Sequence, residues 1–110
     1  MCGIAGQITL TRRPVNEADL RKMANSIAHR GPDGEHFYCN GNIGLAHRRL
    51  AIIDLSEEGL QPMANEDESI WIVFNGEIYN YLELRDELQK CGHTFASDCD
   101  TEVIVHAYEE

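Results

Sequence analysis

The sequence has no apolar run long enough to span a membrane, and no basic stretch followed by an apolar core at its N-terminus to direct secretion. The expectation is a cytoplasmic, reducing setting. The four cysteines, Cys2, Cys39, Cys91 and Cys99, form no C-x-x-C pair, and disulfides are not expected. Cys91, His93, Cys99 and His106 are ligand types close in sequence, but their spacing matches no zinc pattern, so no metal is expected. Basic charge is scarce: nine Lys and Arg face nineteen Asp and Glu, a formal net charge of −10. That balance repels phosphate backbones and anionic lipid, which excludes nucleic acid and membrane surfaces as expected partners. Repeats, low-complexity tracts and linkers are also missing. With 110 residues, 43% of them hydrophobic and 25% charged, the composition is that of one small globular domain rather than a disordered chain.

What is present begins at Met1-Cys2-Gly3-Ile4. Removal of the initiator methionine leaves a cysteine carrying both a thiol and an α-amino group. Free α-amino groups titrate near about 7.7 to 8.0 and free cysteine thiols near about 8.5, so such a residue brings a nucleophile together with a base. The alternative is a small residue leading into a buried strand, since free cysteine is commonly buried.

Residues 3–10 read as that strand, with Gly3 and Gly6 permitting close backbone approach. Asn16 caps a helix whose apolar positions Leu20, Met23, Ala24, Ile27 and Ala28 recur at helical spacing, ending near His29-Arg30. Gly31-Pro32-Asp33-Gly34 is a dense turn signal, and its local chemistry favours a surface turn. Residues 36–39 and 42–45 read as a hairpin around Asn40-Gly41. The paired Arg48 and Arg49 lie in an otherwise apolar stretch, where they either meet anions or sit on a solvated face. Ser56 through Ser69 reads as an acidic loop, of a length that often marks a lid or binding segment. Ile70-Trp71-Ile72-Val73-Phe74 is the strongest strand signal, and it delivers Asn75-Gly76 at its end. An asparagine side-chain amide beside a glycine N–H suits an oxyanion, although Asn-Gly is also a common turn pair. Asn80 caps a helix carrying Glu83, Leu84 and Leu88, with Gly92 past its end, and Cys91 is expected to pack. Asp100 either caps the helix-like segment that follows it or faces a cationic ligand group.

The order of these signals is more specific than any one of them. N-terminal Cys2-Gly3-Ile4 precedes His29-Arg30-Gly31-Pro32-Asp33-Gly34, then His47-Arg48-Arg49-Leu50-Ala51-Ile52-Ile53-Asp54, Gln61-Pro62-Met63, Asn75-Gly76-Glu77-Ile78-Tyr79-Asn80 and Asp100-Thr101-Glu102. Over the whole of 1–110 this resembles the glutaminase domain of glutamine-hydrolysing asparagine synthetases, a class II glutamine amidotransferase of the N-terminal nucleophile hydrolase type. The resemblance implies an α+β fold, part or all of a four-layer αββα sandwich. It implies that Cys2 attacks the side-chain amide of L-glutamine, its α-amino group serving as base and then acid, with Asn75 and Gly76 holding the oxyanion. Arg49 would then grip the substrate α-carboxylate, Glu77 and Asp100 would recognise its α-ammonium, and Leu50, Ile52 and Ile53 would line the pocket.

No cofactor is implied in this domain. ATP and magnesium belong to a synthetase domain, which is the implied partner in a longer chain and is absent from 1–110. The domain of this family continues past the helix near Glu110, so the stretch is expected to be truncated at its C-terminus: a fragment, unstable, or dependent on a homodimer. A catalytically silent fragment or glutamine-binding module is the alternative. Cys99 stands where the family often has serine before Asp-Thr-Glu.

Overall fold

A computed structural model describes residues 2–50 and 57–110. Ile52 and Ile53, expected to line a pocket, lie outside those residues. The architecture is α+β. In chain order the elements are β1 (Gly3–Ile8), α1 (Glu17–Ser26), a 3-10 turn (Ala28–Arg30), β2 (Gly34–Asn40), β3 (Ile43–Arg49), a second 3-10 turn (Glu57–Gly59), β4 (Met63–Ala64), β5 (Trp71–Ile72), α2 (Tyr81–Lys90) and α3 (Glu102–Glu109). One sheet has the order β1-β3-β2 and the other pairs β4 with β5, all antiparallel.

α1 forms where expected. Asn16 Oδ1 accepts the Ala18 N–H at 2.9 Å, and Glu17 and Asp19 occupy the first turn, where the helix dipole favours negative charge. Its face of Leu20 and Ala24, both fully buried, packs on Ala46 of β3, with Ala5 and Phe37 beside them. Met23, expected on that face, is 41% exposed and lies outside the buried cluster. The guanidinium of Arg21 lies 4.4 Å over the Phe37 ring, so its stem covers the edge of this small core.

The hairpin of β2 and β3 is longer than the sequence suggested, and its turn is shifted by one residue. Asn40 pairs with Ile43, so the connecting pair is Gly41-Asn42, with Gly41 at φ +56° in the left-handed region that glycine tolerates. The Ser56–Ser69 stretch is not an open loop throughout: it contains the second 3-10 turn and β4. The 70–74 strand is paired only at Trp71 and Ile72, because its partner β4 supplies only Met63 and Ala64. The Trp71 ring stacks on Tyr38 at a centroid distance of 3.9 Å and so ties the second sheet to β2. The N-cap position of α3 falls on Thr101, without a side-chain cap bond, and Asp100 precedes it with its carboxylate bonded to the Ile78 N–H.

Candidate functional site

The register of the first sheet explains how its end becomes a site. Gly3 lies opposite Arg48 and Ile4 opposite His47; one further step places Cys2 opposite Arg49. Opposed residues of an antiparallel pair share a face, and alternate residues of β3 share one too. Cys2, His47 and Arg49 therefore line one face, opposite to the Ala46 side covered by α1. The thiol is fixed there: Cys2 Sγ accepts the Leu50 N–H at 3.2 Å and lies 3.4 Å from the Leu50 carbonyl. Arg49 is buried to 7% exposure, whereas the neighbouring Arg48 pairs with Glu35 on the other face of the strand.

The His29–Gly34 segment braces this end of the sheet rather than forming a detached surface turn. Arg30 Nε donates to the Cys2 carbonyl at 3.2 Å, and the Asp33 N–H donates to the Arg49 carbonyl at 2.8 Å. Gly31 is buried against β3 so closely that a Cβ would stand 2.2 Å from the Arg48 carbonyl carbon. Only a glycine permits this approach.

Two polar residues without an assigned role in the sequence connect the rest. Gln61 is buried; its Oε1 accepts the Phe74 N–H at 2.5 Å and its Nε2 donates to Thr101 Oγ1 at 3.1 Å. One amide thus fixes the segment that delivers Asn75-Gly76 relative to the start of α3. His47 is 3% exposed, and its ring bonds to the Phe74 backbone while its Nε2 has no hydrogen-bond partner among the described residues. Burial lowers its pKa from the ordinary 6.5 to about 4, and Arg49 and His36 push the same way against the Phe74 contact. His47 is therefore neutral at neutral pH. The sequence signal for both was their place inside ordered motifs; burial, which gives them their roles, is a property of the fold.

Asp100, 5% exposed, accepts the Ile78 N–H on Oδ2 at 2.7 Å, which joins it to the loop after Asn75-Gly76-Glu77. Cys99 sits beside it with Sγ 3.6 Å from Oδ1, and burial pushes that thiol's pKa up, so it stays neutral next to the carboxylate. Asn75 and Leu50 are half-buried, and Gly76 and Glu77 are exposed. The structure thus gathers Cys2, Arg49 and Leu50 at the end of the first sheet, and Asn75, Gly76, Glu77 and Asp100 at the junction of β5, α2 and α3. His47 and Gln61 bind to that junction through Phe74. The arrangement offers a thiol, a buried cation, a carboxylate and unhindered N–H donors, which suits acyl transfer on a small zwitterion.

A family model described as a glutamine amidotransferase domain matches residues 1–110. Among curated relatives, the glutamine-hydrolysing asparagine synthetase 1 of Bacillus subtilis is 46% identical, with 98% of this chain and 17% of that protein aligned. The corresponding asparagine synthetase 2 of the same organism is 48% identical over 100% of this chain and 15% of its own length. A putative glutamine-hydrolysing asparagine synthetase 1 of Methanocaldococcus jannaschii is 42% identical over 100% of this chain and 23% of its own length. The chain thus spans about a quarter or less of these relatives.

Proposed function

The chain belongs to the glutamine amidotransferase domain family, and on that premise we propose that it hydrolyses L-glutamine to glutamate and ammonia through a Cys2 thioester. In this reading the Cys2 thiolate attacks the side-chain amide carbon while the α-amino group takes the thiol proton. The tetrahedral oxyanion is held by the Asn75 side-chain amide and the Gly76 N–H. The C–N bond then breaks, the α-ammonium returns the proton to the departing ammonia, and water hydrolyses the thioester to glutamate and the free thiol. Arg49 anchors the substrate α-carboxylate, with two N–H groups suited to a two-point contact. Asp100 and Glu77 receive its α-ammonium, and Leu50, Ile52 and Ile53 line the pocket.

The single observation that carries the reading is the placement of Cys2 and Arg49 on one face at the end of the sheet, with the thiol fixed by Leu50. The wider proposal is that 1–110 is the glutaminase part of a longer cytoplasmic asparagine synthetase. Its ammonia would feed the ATP- and magnesium-dependent amidation of aspartate in a separate synthetase domain. A four-layer sandwich belongs to the same proposal. It is supported by the face of the first sheet opposite α1, where Ile4, Ile8 and Ile43 are exposed at 46%, 62% and 41% and offer a surface for a second layer.

Glutamine hydrolysis by the purified protein tests the reading. Cys2→Ala should lower the rate by at least about 10³-fold with glutamine binding retained, as expected for loss of a nucleophile. Undiminished ammonia release in that variant contradicts it, and binding without ammonia release in the unaltered protein favours a silent glutamine-binding module.

A further inference from the structure

Away from Cys2, three segments bring a second set of ionisable side chains together. Glu66 follows β4, His93 follows α2, and His106 and Glu109 lie one turn apart on α3. One ligand atom from each of the four lies within 4.8 Å of the other three.

His106 is the informative member. It is 1% exposed, and its Nδ1 makes no hydrogen bond among the described residues. Glu66 Oε2 stands 3.4 Å from that nitrogen. On the far side of the ring, Nε2 lies 3.3 Å from Glu102 Oε1. Glu102 is itself buried and is fixed by the N–H groups of Ala96 and Ser97 at 2.7 and 2.8 Å. A fixed acceptor at Nε2 places the proton of a neutral imidazole there and leaves a lone pair on Nδ1. His93 repeats the arrangement: Nε2 is 2.8 Å from Glu110 Oε2, and Nδ1 is 3.4 Å from Glu66 Oε1 and 3.7 Å from Glu109 Oε2.

Two ring lone pairs facing carboxylates need a cation between them, either a proton on each ring or one metal ion. The distances separate these cases. A charge-assisted N–H···O bond spans about 2.7 to 2.9 Å, shorter than the 3.4 to 3.7 Å found at the two Nδ1 atoms. Zinc–nitrogen and zinc–oxygen bonds of about 2.1 Å at tetrahedral angles give a ligand-to-ligand edge of about 3.4 Å, the length of the contacts from each Nδ1 to its own Glu66 oxygen, in a set of four ligand atoms that spans at most 4.8 Å and would tighten around an ion. The two Nε2–carboxylate contacts are the outer pairs that fix the tautomer of metal-bound histidines.

We propose that Glu66, His93, His106 and Glu109 bind one zinc-type divalent ion in a closed, structural N2O2 site, with Glu102 and Glu110 orienting the two histidines. The ion joins α3 and the end of α2 to the β4–β5 connection. Because α3 begins beside Asp100 and Thr101, the clamp also steadies the junction to which Gln61 is tied. Cys99 takes no part, being turned toward Asp100, and exposed Cys91 lies at the rim of the adjoining cavity.

The test is a calorimetric titration of chelator-treated protein with Zn²⁺, alongside the visible spectrum with Co²⁺. One equivalent should bind, with cobalt bands of a four-coordinate site and no thiolate charge-transfer band, and millimolar Mg²⁺ or Ca²⁺ should not compete. His93→Ala and Glu109→Gln, the latter at an exposed position, should each weaken binding at least about tenfold, and Cys91→Ser should leave it unchanged. No zinc binding, binding that persists in Glu109→Gln, or a thiolate band lost in Cys91→Ser overturns the proposal.

Discussion

At the scale of single residues, the site is built from polar groups that the fold has made expensive to disturb. His47 shows this most directly. Its pKa is lowered to about 4 by burial, by Arg49 on the same strand and by His36 on β2, with the Phe74 contact opposing. The protonated ring is therefore disfavoured in the folded state relative to the unfolded chain, where it titrates near 6.5. The stabilisation is complete above pH 6.5 and is lost as the pH falls toward 4, and integrated over that window it amounts to at most about 3 kcal/mol. Urea unfolding at pH 7 and pH 4.5 should show this fall, and His47→Gln should flatten it. A pH dependence unaltered by His47→Gln would mean that other groups carry it.

Residue identity was also where the sequence said most. Cys2, Arg49 and Asp100 stood out because a thiol at position two, a guanidinium in an apolar run and a carboxylate ahead of a helix each have chemistry that a bland role leaves unused. Gln61 did not stand out. An amide is uninformative until both of its ends are seen to be engaged inside the protein, as they are with Phe74 and Thr101.

At the scale of elements, local signals read well where a helix depends on its own sequence and poorly where a strand depends on a partner. α1 appears with its Asn16 cap because that bond is local. α2 appears as well, although Asn80 contributes no side-chain cap bond. The 70–74 strand shortens to Trp71–Ile72 because pairing requires a neighbour, and β4 is brief. The Gly31–Gly34 segment was legible as a turn, but its packing on Arg48 and Arg49 is long-range information that no local pattern contains. That packing is testable. In Gly31→Ala the new methyl meets backbone rather than a movable side chain, so the cost should lie near the upper end of the overpacking range, about 3 kcal/mol. The urea midpoint should drop with an unchanged slope, and KM for glutamine should rise as Arg49 is displaced. A variant of wild-type stability would show that the turn does not rest on β3.

At the scale of the whole molecule, the described residues form two small sheets and three α-helices, and the contact of His47 with the Phe74 backbone links the first sheet to the segment that leads to Asn75-Gly76. A net charge of −10 is compatible with the zwitterionic substrate proposed here, because in that proposal recognition rests on buried Arg49 and the carboxylates of Glu77 and Asp100 rather than on the overall field. The four-layer arrangement was not derivable from periodicity. It came from resemblance, and the exposed isoleucines of β1 and β3 are the feature of this chain that supports it. The grouping of Glu66 with His93, His106 and Glu109 was illegible for a similar reason: Glu66 lies on the β4–β5 connection, far in sequence from the two histidines.

The proposed function requires Cys2 to be an activated nucleophile facing a glutamine pocket. Intact-mass spectrometry after treatment with an electrophilic glutamine analogue tests it most directly, because Cys39 and Cys91 are the more exposed thiols and offer themselves as competitors. The expected result is a protein that begins at Cys2 and takes up a single adduct, located on Cys2 and suppressed by free glutamine. Labelling of Cys39 or Cys91 in preference to Cys2, or labelling that glutamine does not slow, would contradict it.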